Sequence, residues 1–124
     1  MEKKVLVIDD EKYICDLLKG FLEDRGWRVI TATSTREGLR KTRDEKPSIV
    51  LLDIKMPFID GIKAIKLLKR IDQAIDIIMI SGVVDQNIVR RSMDYGAVEY
   101  ILKPFTLEYV KNCINVRMAI KGAF

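Results

Sequence analysis

The residues able to do chemistry in this chain follow short apolar runs. Asp9-Asp10 follows Lys4–Ile8, Asp53 follows Ser48–Leu52, Ser81 follows Asp76–Ile80 and Lys103 follows Val98–Leu102. Three carboxylates in one crevice repel, and their pKa values rise unless a cation sits among them. Oxygen ligands without His or Cys suit Mg²⁺ or Mn²⁺ rather than zinc. The chain has no histidine, which excludes a Ser-His-Asp or Cys-His nucleophile pair, a His-x-x-x-His zinc motif and a phosphohistidine of its own. Cys15 and Cys113 are the only cysteines and lie far apart in sequence; reduced thiols are expected rather than a bridge or a thiolate metal site. Singly, each polar position has an ordinary reading: an Asp after a strand is commonly a helix cap, and Lys103-Pro104 is a rigid strand exit. Convergence on one edge of a sheet is what makes them a site.

That convergence needs parallel strands. Lys4–Ile8, Arg28–Ala32, Ser48–Leu52, Asp76–Ile80 and Val98–Leu102 read as five short strands rich in β-branched residues. Between them runs helical periodicity. Ile14, Leu17, Leu18, Phe21 and Leu22 form the first stripe, with Gly26 expected at C′. Ser34 and Glu37 read as a capping box opening a helix that stops before Pro47. A turn holding Pro57 and Asp60-Gly61 is expected to lead into a helix over Ile62–Ile71. Asp85 and Thr106 read as N-caps of the last two helices, the final one carrying Leu107, Val110, Ile114 and Met118 on one stripe. Five strands alternating with five helices imply an α/β fold with a doubly wound five-stranded parallel sheet, in which ligands sit beyond the carboxyl ends of the strands.

Composition agrees with one ordinary domain. The chain has 124 residues, 48% hydrophobic and 32% charged, within the usual range for a folded globule. Its longest apolar runs, such as Ile49–Leu52 and Ile77–Ile80, have four residues, far short of the ~20 needed for a membrane helix. Met1-Glu2-Lys3-Lys4 leads straight into a strand-like run, unlike a signal peptide, so the expected address is the cytoplasm. The 22 basic and 18 acidic residues give a net charge of +4. The bases are scattered; the densest group, Lys63, Lys66, Lys69 and Arg70, reads as a solvated helix face rather than a nucleic-acid patch.

In this order and spacing, the motifs Val7-Ile8-Asp9-Asp10-Glu11, Leu51-Leu52-Asp53-Ile54-Lys55-Met56-Pro57, Asp60-Gly61, Ser81-Gly82, Gly96-Ala97 and Tyr100-Ile101-Leu102-Lys103-Pro104-Phe105 resemble the receiver domain of two-component response regulators. The resemblance covers nearly the whole chain, read as one domain over 1–124. It implies the flavodoxin-like strand order 2-1-3-4-5 and a phosphoacceptor at Asp53. It further implies Mg²⁺ bound by Asp10 and Asp53 directly, by Asp9 through water and by the backbone carbonyl of Lys55. Lys103 and Ser81 would bind phosphoryl oxygens, with Lys103-Pro104 cis to aim the lysine, and Tyr100 would be the switch aromatic. The surface expected to respond is the fourth helix, fifth strand and fifth helix, with Arg90, Arg91, Asp94, Glu99 and Tyr100 on it.

The implied partner is a sensor histidine kinase or phosphotransfer protein that supplies the histidine this chain lacks. A phosphorylation-dependent homodimer is a further expectation; membrane association and direct nucleic-acid binding are not. The role is a signalling switch rather than a turnover enzyme. Lys55, Phe58 and Val83 stand at positions where the family varies or prefers another residue, which leaves the lifetime of the phosphoryl group open. Three rivals weigh against this reading. A flavin- or nucleotide-binding flavodoxin-like module wants a phosphate loop where Asp9-Asp10-Glu11 would repel it. An aspartate-nucleophile phosphatase wants Asp-x-Asp, but the chain has Asp53-Ile54-Lys55. A docking-only pseudo-receiver would not need the intact set of Asp9, Asp10, Asp53, Ser81 and Lys103.

Overall fold

The computed structural model describes residues 3–53 and 58–122, with the side chains of all of these except residues 58–60. Its elements are β1 (Lys4–Ile8), α1 (Lys12–Glu23), β2 (Arg28–Ala32), α2 (Thr35–Glu45), β3 (Ile49–Asp53), α3 (Phe58–Ile71), β4 (Asp76–Ser81), α4 (Gln86–Asp94), β5 (Ala97–Leu102) and α5 (Leu107–Ile120). All five strands are parallel, in the order β2-β1-β3-β4-β5. The expected doubly wound α/β architecture and strand order are both present.

Alternation within the strands divides the core into two layers. Val5 and Val7 of β1, Ile49 and Leu51 of β3, and Ile78 and Ile80 of β4 pack with Leu18 and Leu22 of α1 and with Val110, Ile114 and Met118 of α5. The intervening residues Leu6, Ile8, Val50, Leu52, Ile77 and Met79 pack on the opposite face with Ile62, Ile65 and Leu68 of α3. Both faces of β1, β3 and β4 are covered, which is why these strands are almost wholly apolar.

Local chemistry sets the helix ends. At the end of α1, the Trp27 amide donates to the Leu22 carbonyl and the Gly26 amide to Glu23. With Gly26 at φ +89°, this is a Schellman motif with glycine at C′, as expected. Ser34 Oγ accepts from the Glu37 amide at 3.1 Å, while Glu37 Oε1 reaches back to the Thr33 amide at 3.0 Å. The capping box is thus displaced one residue upstream on its return arm. Asp85 and Thr106 cap α4 and α5 through the amides of Asn87 and Tyr109.

Helix α3 differs from expectation. It begins at Phe58 rather than Ile62, so Asp60 and Gly61 lie in its first turn instead of a preceding loop. Glycine costs about 1 kcal/mol in a helix, less than burial of Ile62, Ile65 and Leu68 on the same helix returns. Strand ends also shift by one residue: Asp53 and Ser81 are the last residues of their strands, not the first beyond them.

Helix α2 approaches β1 closely at Gly38. A Cβ there would lie 2.7 Å from Cγ1 of Ile8 and also overlap its Cδ1. The close approach brings α2 onto the sheet beside the end of β1. Gly38→Ala should lower the urea midpoint despite its better helix propensity, because overpacking of this kind costs about 1–3 kcal/mol. Ile8→Val, which removes Cδ1, should recover part of the loss. Urea melts of the two single variants and the double variant should give a favourable coupling of about 1 kcal/mol.

Candidate functional site

The site begins as a matter of register. Val7 pairs with Leu51 and Ile8 with Leu52, so the next step places Asp9 beside Asp53. Both continue the stripe that faces α1 and α5. The apolar strands leading to them carry these carboxylates to the carboxyl edge and bury them: Asp9 is 1% exposed and Asp53 is 6%.

The two are held differently. Asp9 Oδ1 accepts from the Glu11 amide at 2.8 Å, an Asx turn that fixes the carboxylate as the chain enters α1. Asp9 Oδ2 is buried and has no hydrogen-bond partner among the described residues. Asp53 Oδ2 instead accepts from Lys103 Nζ in a short ion pair. Lys103 follows β5, two strand spacings or roughly 10 Å from β3, so a long side chain is required to cross the end of β4. Its backbone is anchored for this reach: the Lys103 amide donates to the Ser81 carbonyl at 2.9 Å. The Lys103-Pro104 peptide bond is cis.

Asp9, Glu11 and Asp53 each present a carboxylate oxygen within 4.8 Å of the others. Asp10 is exposed and is not one of these three. The sequence marks Glu11 only as part of a motif; the acidic run Asp9-Asp10-Glu11 is the available signal, and the fold brings the carboxylates of its first and third members together with that of Asp53. Lys55, whose carbonyl the family resemblance assigns to the metal, lies outside the described residues. An all-oxygen cluster with a buried, unpartnered carboxylate oxygen suits a hard divalent cation.

The Asp9 carboxyl is pushed up to about 8, first by burial and then by the adjacent Asp53 carboxylate. The Glu11 amide and the Lys103 ammonium oppose the rise without cancelling it. Beneath the Asp9 turn, the Cys15 thiol donates to the Asp9 carbonyl at 3.4 Å and to the Ala32 carbonyl at 3.7 Å. Burial, followed by the Asp9 charge, pushes that thiol up to about 11, which makes it a packing group rather than a nucleophile. Cys113 packs against the same core layer, and both cysteines are free.

Ser81 and Tyr100 meet at a residue that the sequence did not single out for this. Ser81 Oγ, in a buried side chain, accepts from the Val83 amide at 3.0 Å. The Tyr100 hydroxyl donates to the Val83 carbonyl at 3.1 Å. The Tyr100 ring is half-buried against the α3 side of the core. The Ser81 hydroxyl and the Tyr100 ring are therefore tied to opposite sides of one loop residue.

A model of the response regulator receiver domain matches residues 5–115. The chain is 37% identical over 116 residues to the chemotaxis protein CheY of Thermotoga maritima, covering 93% of this chain and 97% of that protein. It is 38% identical over 106 residues to the alkaline phosphatase synthesis transcriptional regulatory protein PhoP of Bacillus subtilis, covering 86% of this chain but only 44% of that regulator's length. A crystal structure of a CheY-like receiver domain protein from Methanospirillum hungatei superposes with a TM-score of 0.92 at 28% identity, covering 99% of this chain and 98% of that one.

The raised Asp9 value has a definite consequence for stability without divalent ions. The unfolded carboxyl loses its proton near 3.8, whereas the folded one keeps it to about 8. Above the lower value the native state binds the extra proton, so its stability falls as pH rises and levels off past the upper value. Urea midpoints measured in chelator should decline from about pH 5 to pH 8. Asp9→Asn should flatten that decline and be the more stable protein at the alkaline end. Parallel slopes for the two proteins would contradict the assignment.

Proposed function

The chain belongs to the response regulator receiver domains of two-component signalling, and on that premise we propose that Asp53 accepts a phosphoryl group from a phosphohistidine on a sensor kinase or phosphotransfer protein. The observation that carries this reading is the part-buried Asp53–Lys103 ion pair with the Asp9 carboxylate beside it at the carboxyl edge of the sheet. An Asp53 oxygen attacks phosphorus, the phosphorus–nitrogen bond breaks and the imidazole departs. The transferring group spreads negative charge over three oxygens. Lys103 is positioned to exchange its bond to Asp53 for one to a phosphoryl oxygen, neutralising charge where it develops.

Asp9 and Asp53, with Asp10 and the Lys55 carbonyl by resemblance to the family, would hold Mg²⁺, which when bound supplies further neutralisation of the phosphoryl charge. The chain's own residues prepare for it. The Asx turn fixes Asp9, and burial keeps both carboxylates out of bulk water. A flavin or nucleotide phosphate is disfavoured here because the same edge presents the carboxylates of Asp9, Glu11 and Asp53.

Ser81 supplies the link to the surface. Its hydroxyl accepts from the Val83 amide and still has its own O–H to donate, so rotation of Ser81 toward a phosphoryl oxygen would pull on one side of the loop that Tyr100 holds on the other. The surface of α4, β5 and α5 then changes because Tyr100 lies on it. A differential affinity of a few kcal/mol for the two arrangements suffices to shift their populations.

Incubation with Mg²⁺ and acetyl phosphate should add one base-labile phosphoryl group, read by intact-mass spectrometry. Asp53→Asn should gain none under the same conditions, and chelation of Mg²⁺ should suppress labelling of the unmodified chain. An equal mass gain in Asp53→Asn would overturn the assignment.

A further inference from the structure

A second feature lies away from the carboxylates, where α2 and α3 pack side by side on the same sheet face. They enclose an open groove of about 780 Å³, lined by Ser34, Thr35, Leu39, Ala64 and Leu67 among others. This lies within the range of ligand-binding clefts, roughly 300–1,000 Å³. Its apolar lining comes from Leu39, Ala64 and Leu67; its basic lining comes from Arg36, Arg40 and Arg43 of α2 and Lys63 of α3. The three arginines recur at a spacing of four and then three residues, which sets them on one helical stripe.

The charges are available. Arg36, Arg43 and Lys63 make no ion pair among the described residues, and Arg40 meets only Asp44, at 3.9 Å and with both side chains more than half exposed. Such a pair is worth little and is easily exchanged. The one acid lining the groove among the described residues, Glu37, faces Lys41 at 3.8 Å and accepts from the Thr33 amide. The distribution over the whole chain is uneven in the same sense. Helices α2 and α3 contain eight basic and four acidic residues, so together they hold the full +4 of the chain; the remaining 14 basic and 14 acidic residues cancel. The positive end of the α2 dipole opens on the same groove, at Ser34 and Thr35.

We propose that the α2–α3 groove docks an acidic amphipathic segment of a partner protein, with apolar side chains against the half-buried Leu39 and Leu67 and carboxylates against Arg36, Arg40, Arg43 and Lys63. An apolar floor favours this occupant over a uniformly charged polyanion, which would leave Leu39 and Leu67 uncovered. The groove begins where β2 passes into α2, at the carboxyl edge that also carries Asp53. Docking itself does not require phosphorylation.

The test uses a fluorescein-labelled helical peptide with Leu at i, i+3, i+4 and i+7 and Glu elsewhere. Its comparator carries Gln for every Glu. Anisotropy titration should show saturable binding of the acidic peptide only, weakened by added salt. Arg36→Glu/Arg43→Glu should weaken binding about tenfold or more, and Leu67→Ser should weaken it with no change in net charge. Arg90→Glu/Arg91→Glu, an equal charge reversal on α4, should leave binding within about twofold. Asp53→Asn should bind as the unmodified chain does, which separates failure here from failure of the phosphoacceptor reading. Absence of saturable binding, equal binding of the Gln peptide, or equal loss in both double variants would overturn the proposal. So would preferential binding of duplex DNA, or of phosphatidylglycerol vesicles, that is lost with Arg36→Glu/Arg43→Glu.

Discussion

Two carboxylates buried side by side are the constraint around which this molecule is organised. Asp9 and Asp53 follow from parallel register: once Ile8 pairs with Leu52, the next residues of both strands must be neighbours. Burial of charge is expensive unless partners satisfy it. Here the partners are unevenly divided, since Asp53 has the Lys103 ammonium and Asp9 has a backbone amide with one oxygen left bare. The apolar layers on both sheet faces hold this arrangement in place. An isolated loop would relax by turning one carboxylate into water; the ends of β1 and β3 do not have that freedom. The stability given up at the edge leaves a pocket already shaped for positive charge.

The elements were legible where one physical signal acted alone. Strand β1 and strand β2 have the expected bounds because β-branched runs end at polar residues, and Gly26 was readable because a left-handed C′ position favours glycine. Helix α3 starts earlier than its sequence suggests because Asp60-Gly61 is also a turn signal; burial of the following apolar stripe overrides that local preference. The same limitation applies to the acidic run. Its composition marks an acidic corner, but only the folded arrangement shows that the Glu11 carboxylate, rather than that of Asp10, lies within reach of both Asp9 and Asp53. Side-chain direction around a turn is set by hydrogen bonds that sequence spacing does not contain.

Val83 illustrates the same point at the other end of the site. Nothing in a half-buried loop valine announces a role. Its peptide groups have one: the amide holds the Ser81 hydroxyl and the next carbonyl holds that of Tyr100. Coupling through backbone groups places few demands on the residue at that position. A family can therefore vary the side chain there while keeping a link between an interior hydroxyl and a surface aromatic ring.

The charge distribution shows what a linear reading averages away. Along the sequence the bases look dispersed, and α3 alone resembles an ordinary solvated face. The right-handed crossovers after β2 and β3 return α2 and α3 to the same side of the sheet, opposite α1 and α5. That topology brings two modest local excesses together on one side of the sheet, while the rest of the chain, taken together, sums to zero. Mutual repulsion between those helices opposes their packing, and surface self-repulsion of this kind gives no benefit to the fold itself. The groove between them keeps an apolar floor that a purely solvated face would not need. Charge held together by topology, above a half-buried apolar floor, is the pattern expected of a surface shaped by what it meets rather than by folding alone.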